Sequence, residues 1–299
     1  MTDERAVKKA YPGKRAANSK TAKKAAAMAG MYIALIVLAV FFMFPFIYMF
    51  FRSFFSNVAS LSLDPTLVPK VFVWDAYKTV LNKDLLRYLG NTAFLIGFNV
   101  IVIPVSASLC AFGFSKLHFH GGNKVFGIVL ATMMLPAIAI QIPLYIIFNM
   151  FGWIGTLLPL SLPNILGGGA INIFLLRQFM KGIPADLTNA AKIDGASAFR
   201  IYAAIVMPLC WPVVGYIMVS TFIGVWNDFM GPLIYLQGNK AAYTLAVGIY
   251  YKFMGTLSKS NYPNQQMAVG VLMCLPPAIL FFLFQKQLVE GVVMTGLKG

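Results

Sequence analysis

Long stretches without a single charged residue restrict the fold of this chain more than any other feature. A membrane-crossing helix needs about 20 consecutive, mostly apolar residues. Residues 29–51 and 92–114 each satisfy that need. No charge occurs between Lys124 and Arg177, which leaves room for two crossings joined by a turn near Gly152–Thr156. A fifth stretch lies between Arg200 and Asp228, and a sixth between Lys259 and Lys286. Backbone groups in hydrocarbon have no water to bond, so each crossing should be an α-helix. A barrel would instead show alternation in segments of roughly ten residues. Composition agrees, at 59% hydrophobic and 11% charged, against roughly 25% charged in an ordinary soluble domain. The expected fold class is all-α: a polytopic membrane protein with six transmembrane helices.

Charge placement orients the bundle. Eight of the 24 Lys and Arg precede the first stretch, from Arg5 to Lys24. A basic tail beside an apolar helix follows the positive-inside rule and suits the anionic inner leaflet better than nucleic acid. The apolar run after it is too long for a cleavable signal. Residues 1–28 therefore read as a basic cytoplasmic tail, disordered or at most a surface helix, and residues 29–299 as the transmembrane domain. Six crossings return the carboxyl terminus to the cytoplasm. That topology places sixteen basic residues inside and eight outside, the pattern of a multi-pass protein of the cell (inner) membrane with both termini cytoplasmic. The outer loop from Ser53 carries Pro65, Pro69, Trp74 and Tyr77 and should be ordered. The other outer segment holds Tyr243, Tyr250, Tyr251 and Tyr262, which read as interfacial anchors or as a docking surface.

Catalytic chemistry finds little support. Cys110, Cys210 and Cys274 lack disulfide or zinc spacing. His118 and His120 both fall in one cytoplasmic loop, with no metal-spaced cluster around them. No intramembrane Asp pair or Ser/Lys pair is present, which argues against an intramembrane enzyme. No GxxxxGK[ST] phosphate loop occurs either. The sequence therefore offers no catalytic residue, no metal site and no cofactor site.

One hydrophilic segment, residues 182–208, interrupts the apolar pattern. Pro184 suits a helix start. Leu187, Ala190, Ala191 and Asp194 then recur at helical spacing, and Gly195 is a natural stop. A second helix can restart with Asp194 or Ser197 as its cap and run to Pro208. Two short helices thus meet at a glycine elbow between the fourth and fifth stretches. Adjacent alanines let another protein approach closely, and one turn links the elbow to a membrane helix, as a lever requires.

This segment resembles the EAA motif of ABC-importer permeases at Ala190, Ala191, Asp194, Gly195, Ala196, Ile205 and Pro208. Asn189 stands where that family usually has glutamate, so an ionic contact would become a neutral hydrogen bond. Gln141-Ile-Pro-Leu-Tyr145, Asn172-Ile-Phe-Leu-Leu-Arg177, Trp226-Asn-Asp-Phe229 and Thr295-Gly-Leu-Lys-Gly299 are similar to the carbohydrate branch, in particular to the shorter permease of the maltose-type heterodimer. The resemblance covers residues 31–299. It implies a type I ABC-importer permease fold with a cytoplasmic coupling-helix loop at about residues 182–208. Its implied partners are a second, larger permease, an ABC ATPase dimer that carries ATP and Mg, and an extracytoplasmic solute-binding protein. ATPase docking would then use Asn189, Ala190, Ala191, Asp194, Gly195 and Ala196, with a further contact from Lys298 and Gly299.

Polar residues inside crossings are costly and so mark candidate paths. Asn91, Asn99, Gln141, Asn149, Asn172, Asn227 and Asp228 are the candidates for a solute path, with Trp226 as a candidate aromatic face. Asp228 could equally bind backbone or a partner, and Trp226 could equally anchor at the interface. Pro104, Pro136, Pro143, Pro212, Pro276, Pro277 and Gly167–Gly169 are expected to interrupt the crossings. A phosphorylated solute would want basic groups in the path, and none lies deep in a crossing. That favours a neutral sugar over glycerol phosphate, with a polyol or osmolyte as the other alternative.

Overall fold

The computed structural model describes residues 14–62, 66–255 and 262–296, with side chains for residues 25–62, 66–255 and 262–285. Among the described residues there are helices and turns but no strand. Four helices are long and apolar enough to cross a membrane: Ala25–Arg52, Lys83–Lys116, Leu158–Lys181 and Pro263–Gln285. Two bent pairs, Gly122–Thr132 with Ala137–Met150 and Ala198–Leu209 with Trp211–Asn227, bring the total to six when each pair counts as one crossing. In chain order these are spans 1 to 6. The helix of span 1 starts at Lys14, so residues 14–28 extend it without a break.

The bends have covalent causes. Span 3 turns through 99° between Thr132 and Ala137, where Pro136 occupies the N-cap of its second half. Span 5 turns through 75° at Cys210. Pro208 and Pro212 flank it four residues apart, and each lacks the N–H that would bond the preceding turn. By contrast Pro45, Pro104, Pro143, Pro276 and Pro277 lie inside helices that continue through them. The expectation that Pro104, Pro143, Pro276 and Pro277 interrupt their spans is therefore corrected; neighbouring turns carry those helices past the missing donors.

Span 4 departs furthest from a plain helix. It begins as two 3₁₀ turns, Leu158–Leu160 and Leu162–Ile165, each with proline near its start, and becomes α-helical only at Ala170–Lys181. The unwound stretch exposes backbone groups at membrane depth, and span 2 satisfies several of them. Asn99 Nδ2 donates to the Leu160 carbonyl at 3.0 Å. Ser106 Oγ donates to the Ile165 carbonyl and accepts the Gly167 N–H at 2.7 Å. Asn164 Nδ2 closes the network on Asn99 Oδ1 at 2.9 Å.

An adjoining face of span 2 carries the tightest packing. Helices in lipid gain little from the hydrophobic effect and associate through close van der Waals contact between small residues. Ala107, Ser108 and Ala111 are fully buried there, against Leu176 and Met180 of span 4 and Val206, Cys210 and Ile217 of span 5. Gly168, at φ +63°, lies so close that an added Cβ would overlap the Ile103 carbonyl and press on Ala107. A second cluster at the opposite end joins Ala76, Val80 and Leu85 to Trp226, Leu245, Phe253 and Val269. Span 1 packs on span 6 but buries none of its apolar window within the chain.

Gly168→Val should therefore lower stability by about 2 kcal/mol or more, since overlap adds to left-handed strain. Gly97→Ala, with open space around it, should not. Thermal unfolding of both variants in mild detergent reads the difference.

Candidate functional site: the elbow after span 4 and the polar cleft

The elbow forms where the sequence places its signals. Ala185–Ile193 is a nine-residue helix with Pro184 at the N-cap and Asp194 at the C-cap. Gly195 takes φ +79°, as a left-handed stop requires. Its N–H donates to Lys192 at 3.1 Å, and the Ala196 N–H donates to Ala191 at 2.9 Å. This pair of bonds is the Schellman closure that satisfies the last carbonyls. Ser197 caps the next helix, its Oγ accepting the Arg200 N–H at 3.3 Å. That second arm does not run on as plain α-helix to Pro208. It passes from Ala198–Ile201 into a π turn, Tyr202–Val206, and then a short α turn to Leu209. Such turns add one residue per hydrogen-bonded loop and recur at functional positions.

One side of the elbow is fixed to the bundle and the other is bare. On the fixed side Ile183 and Thr188 are buried, and Ala191 and Ala196 pack on the core of spans 2, 4 and 5. Lys116, at the end of span 2, donates from Nζ to the Ile183 carbonyl at 2.9 Å. Tyr202 shares a 2.7 Å hydrogen bond with Ser108 of span 2. On the bare side Leu187 is 47% exposed, Phe199 70% and Ile193 87%, around the exposed Asn189, Ala190, Asp194 and Gly195. Lys298 and Gly299 lie outside the described residues.

The intramembrane candidates separate into groups. Asn227 and Asp228, at the end of span 5, meet Asn99 of span 2 and Asn164 of span 4 around a cleft of about 380 Å³. Asp228 Oδ1 accepts the Gly231 N–H at 3.1 Å. The cleft thus offers amide donors, carbonyl acceptors and a carboxylate, and no basic residue lines it. Asn91 lies elsewhere, donating to the Ala241 and Tyr243 carbonyls at 2.8 and 2.9 Å. Trp226 is buried, stacked on Phe222 with its Nε1 donating to Met273 at 3.0 Å. It ties span 5 to span 6 and presents no face to the cleft. Gln141 is half-buried and Asn149 exposed on span 3, and neither lines the cleft. Asn164 is not among the sequence candidates, although a polar side chain inside a charge-free stretch is itself a signal. A second signal is the preceding Pro163, within the 3₁₀ turn Leu162–Ile165.

Comparison with known proteins places this geometry in a family. Residues 104–293 match the family described as the binding-protein-dependent transport system inner membrane component. The chain is 31% identical to a putative ABC transporter permease protein, ORF2, of Caldicellulosiruptor sp. (strain Rt8B.4), covering 85% of this chain and 91% of that one. It is 32% identical to the trehalose transport system permease protein SugB of Mycobacterium tuberculosis, over 81% and 90% of the two chains. It is 29% identical to the galactooligosaccharides transport system permease protein GanQ of Bacillus subtilis, over 90% and 94%. In fold it matches a chain from the crystal structure of a bacterial ABC transporter that imports alginate, with a TM-score of 0.75 at 23% identity, over 87% of this chain and 96% of that one. The chain belongs to the family of inner membrane components of binding-protein-dependent transport systems.

Proposed function

We propose that this chain is one of two different permease subunits of a carbohydrate importer, worked from the cytoplasm by an ABC ATPase dimer seated on the elbow. The observation that carries the reading is the elbow's two-sidedness. Apolar side chains on a water-facing turn stabilise nothing within the chain, yet they suit a partner's groove. The opposite side is bonded to span 2 and packed into the core, so displacement of the elbow moves spans 2, 4 and 5 together. Packed interfaces of this kind switch between discrete arrangements rather than deform continuously.

The carbohydrate assignment draws on two supports. Relatives carry the names of trehalose and galactooligosaccharide permeases. The cleft of Asn99, Asn164, Asn227 and Asp228 matches a neutral, hydroxyl-rich solute, each hydroxyl being both donor and acceptor. A phosphorylated solute would find no cation there. In this reading residues 1–28 and both termini are cytoplasmic, residues 29–299 form the permease domain, and Lys298 and Gly299 add a second contact to the ATPase. The chain itself performs no catalysis; ATP and Mg belong to the ATPase. A larger permease completes the pore, and a solute-binding protein delivers the sugar from outside.

Two outcomes are expected in a reconstituted importer. Valine at Gly195 would strain a backbone at φ +79° by roughly 1–3 kcal/mol, so Gly195→Val should reduce sugar uptake by about tenfold while leaving membrane insertion intact. Uptake at the wild-type rate would contradict the docking role. Asn164→Leu with Asp228→Asn should lower uptake by about tenfold or more while the amount of co-purifying ATPase stays the same. Equal uptake, measured with labelled sugar, would remove the cleft from the path.

A further inference from the structure

A second cavity, of about 630 Å³, opens at the elbow-side ends of spans 2, 3 and 4. Lys124, Lys181, His118, His120 and Arg177 line it, and no carboxylate does. Arg177 is the informative residue. It is only 7% exposed, with its guanidinium 3.8 Å from the centre of the Phe126 ring. Nε donates to the Phe114 carbonyl at 3.2 Å, and a terminal nitrogen donates to Asn123 Oδ1 at 3.4 Å. None of the ion pairs among the described residues reaches it. Buried cations are ordinarily paired with an anion, because desolvation otherwise goes uncompensated. Several of the five guanidinium donors remain for such an anion. The helix Gly122–Thr132 also begins at this cavity. Gly121 caps it without a side-chain acceptor, and although the Gly122 and Lys124 N–H groups already donate to Phe119 and Gly121, the helix dipole adds a favourable field for negative charge.

We propose that this cavity binds the phosphate of an anionic membrane phospholipid, held by Arg177, Lys124 and Lys181. Phosphate chemistry follows from the guanidinium fork and the two flanking ammonium groups. The lipid source follows from position, given that the spans cross the membrane. The cavity lies where three of them end, at the depth of headgroups, and Leu117 and Phe119 beside it are exposed, ready to meet acyl chains. Basic pockets between helix ends are a recognised form of anionic-lipid site. A zwitterionic lipid brings its own cation and gains less.

Native mass spectrometry of the full-length chain, purified in mild detergent with its partners, tests this. Phosphatidylglycerol, phosphatidylcholine and inorganic pyrophosphate are the probes. The account expects preferential retention of phosphatidylglycerol. The exposed pair Lys124→Gln and Lys181→Gln should weaken it by about tenfold, with phosphatidylcholine retention unchanged. Lys70→Gln with Lys78→Gln, at the other end of the bundle, should leave phosphatidylglycerol binding as in the wild type. Equal weakening by both pairs, or equal retention of the two lipids, would overturn the site. Saturable pyrophosphate binding that is lost in the Lys124/Lys181 variant while phosphatidylglycerol is ignored would overturn the lipid source.

Discussion

Unwound backbone at membrane depth must find partners within the protein, and this constraint governs the rest of the structure. The first half of span 4 is not α-helical, and its carbonyls would be costly if left facing hydrocarbon. Asn99 and Ser106 of span 2, seven residues apart and so on one helical face, bond Leu160, Ile165 and Gly167. Gly168 then lets that backbone approach span 2 closely. Once the two are in register, Ala107 and Ala111 meet Leu176 and Met180, and span 5 closes on the same surface.

The elbow inherits its position from that core. Ile183, Ala191 and Ala196 pack beneath it, while Lys116 and Tyr202 bond it to span 2 and to span 2's buried Ser108. Span 2 therefore touches both places that matter: the polar cleft through Asn99 and the elbow through Ser108 and Lys116. A single helix thus joins the elbow to the polar cleft. The bend at Cys210 and the π turn before it place the elbow's second arm at a steep angle to span 5.

Much of this was legible in the residues, and the remainder was hidden for identifiable reasons. Six crossings followed from charge-free length alone. The elbow followed from Gly195 and Ser197, whose conformational roles are local and need no tertiary knowledge. The inner breaks were harder. Pro104 and Pro276 look the same in sequence as Pro136, yet only Pro136 sits at a break, because neighbouring helices decide whether a missing N–H is tolerated. Asn164 meets Asn99 across a separation of 65 positions, a pairing that no local pattern encodes. Trp226 looked available to a solute, but it is spent on tying span 5 to Met273. The outward aim of Ile193 and Phe199 is visible only in the fold.

The central claim is that the bare side of the elbow is the seat of the ATPase. A photo-crosslinking amino acid in place of Ile193, activated in membranes carrying the assembled importer, reports this contact directly. The account predicts an adduct with the ATPase subunit whose yield changes between nucleotide-free and ATP-bound states. An adduct with the solute-binding protein, or no protein adduct in either state, would contradict it.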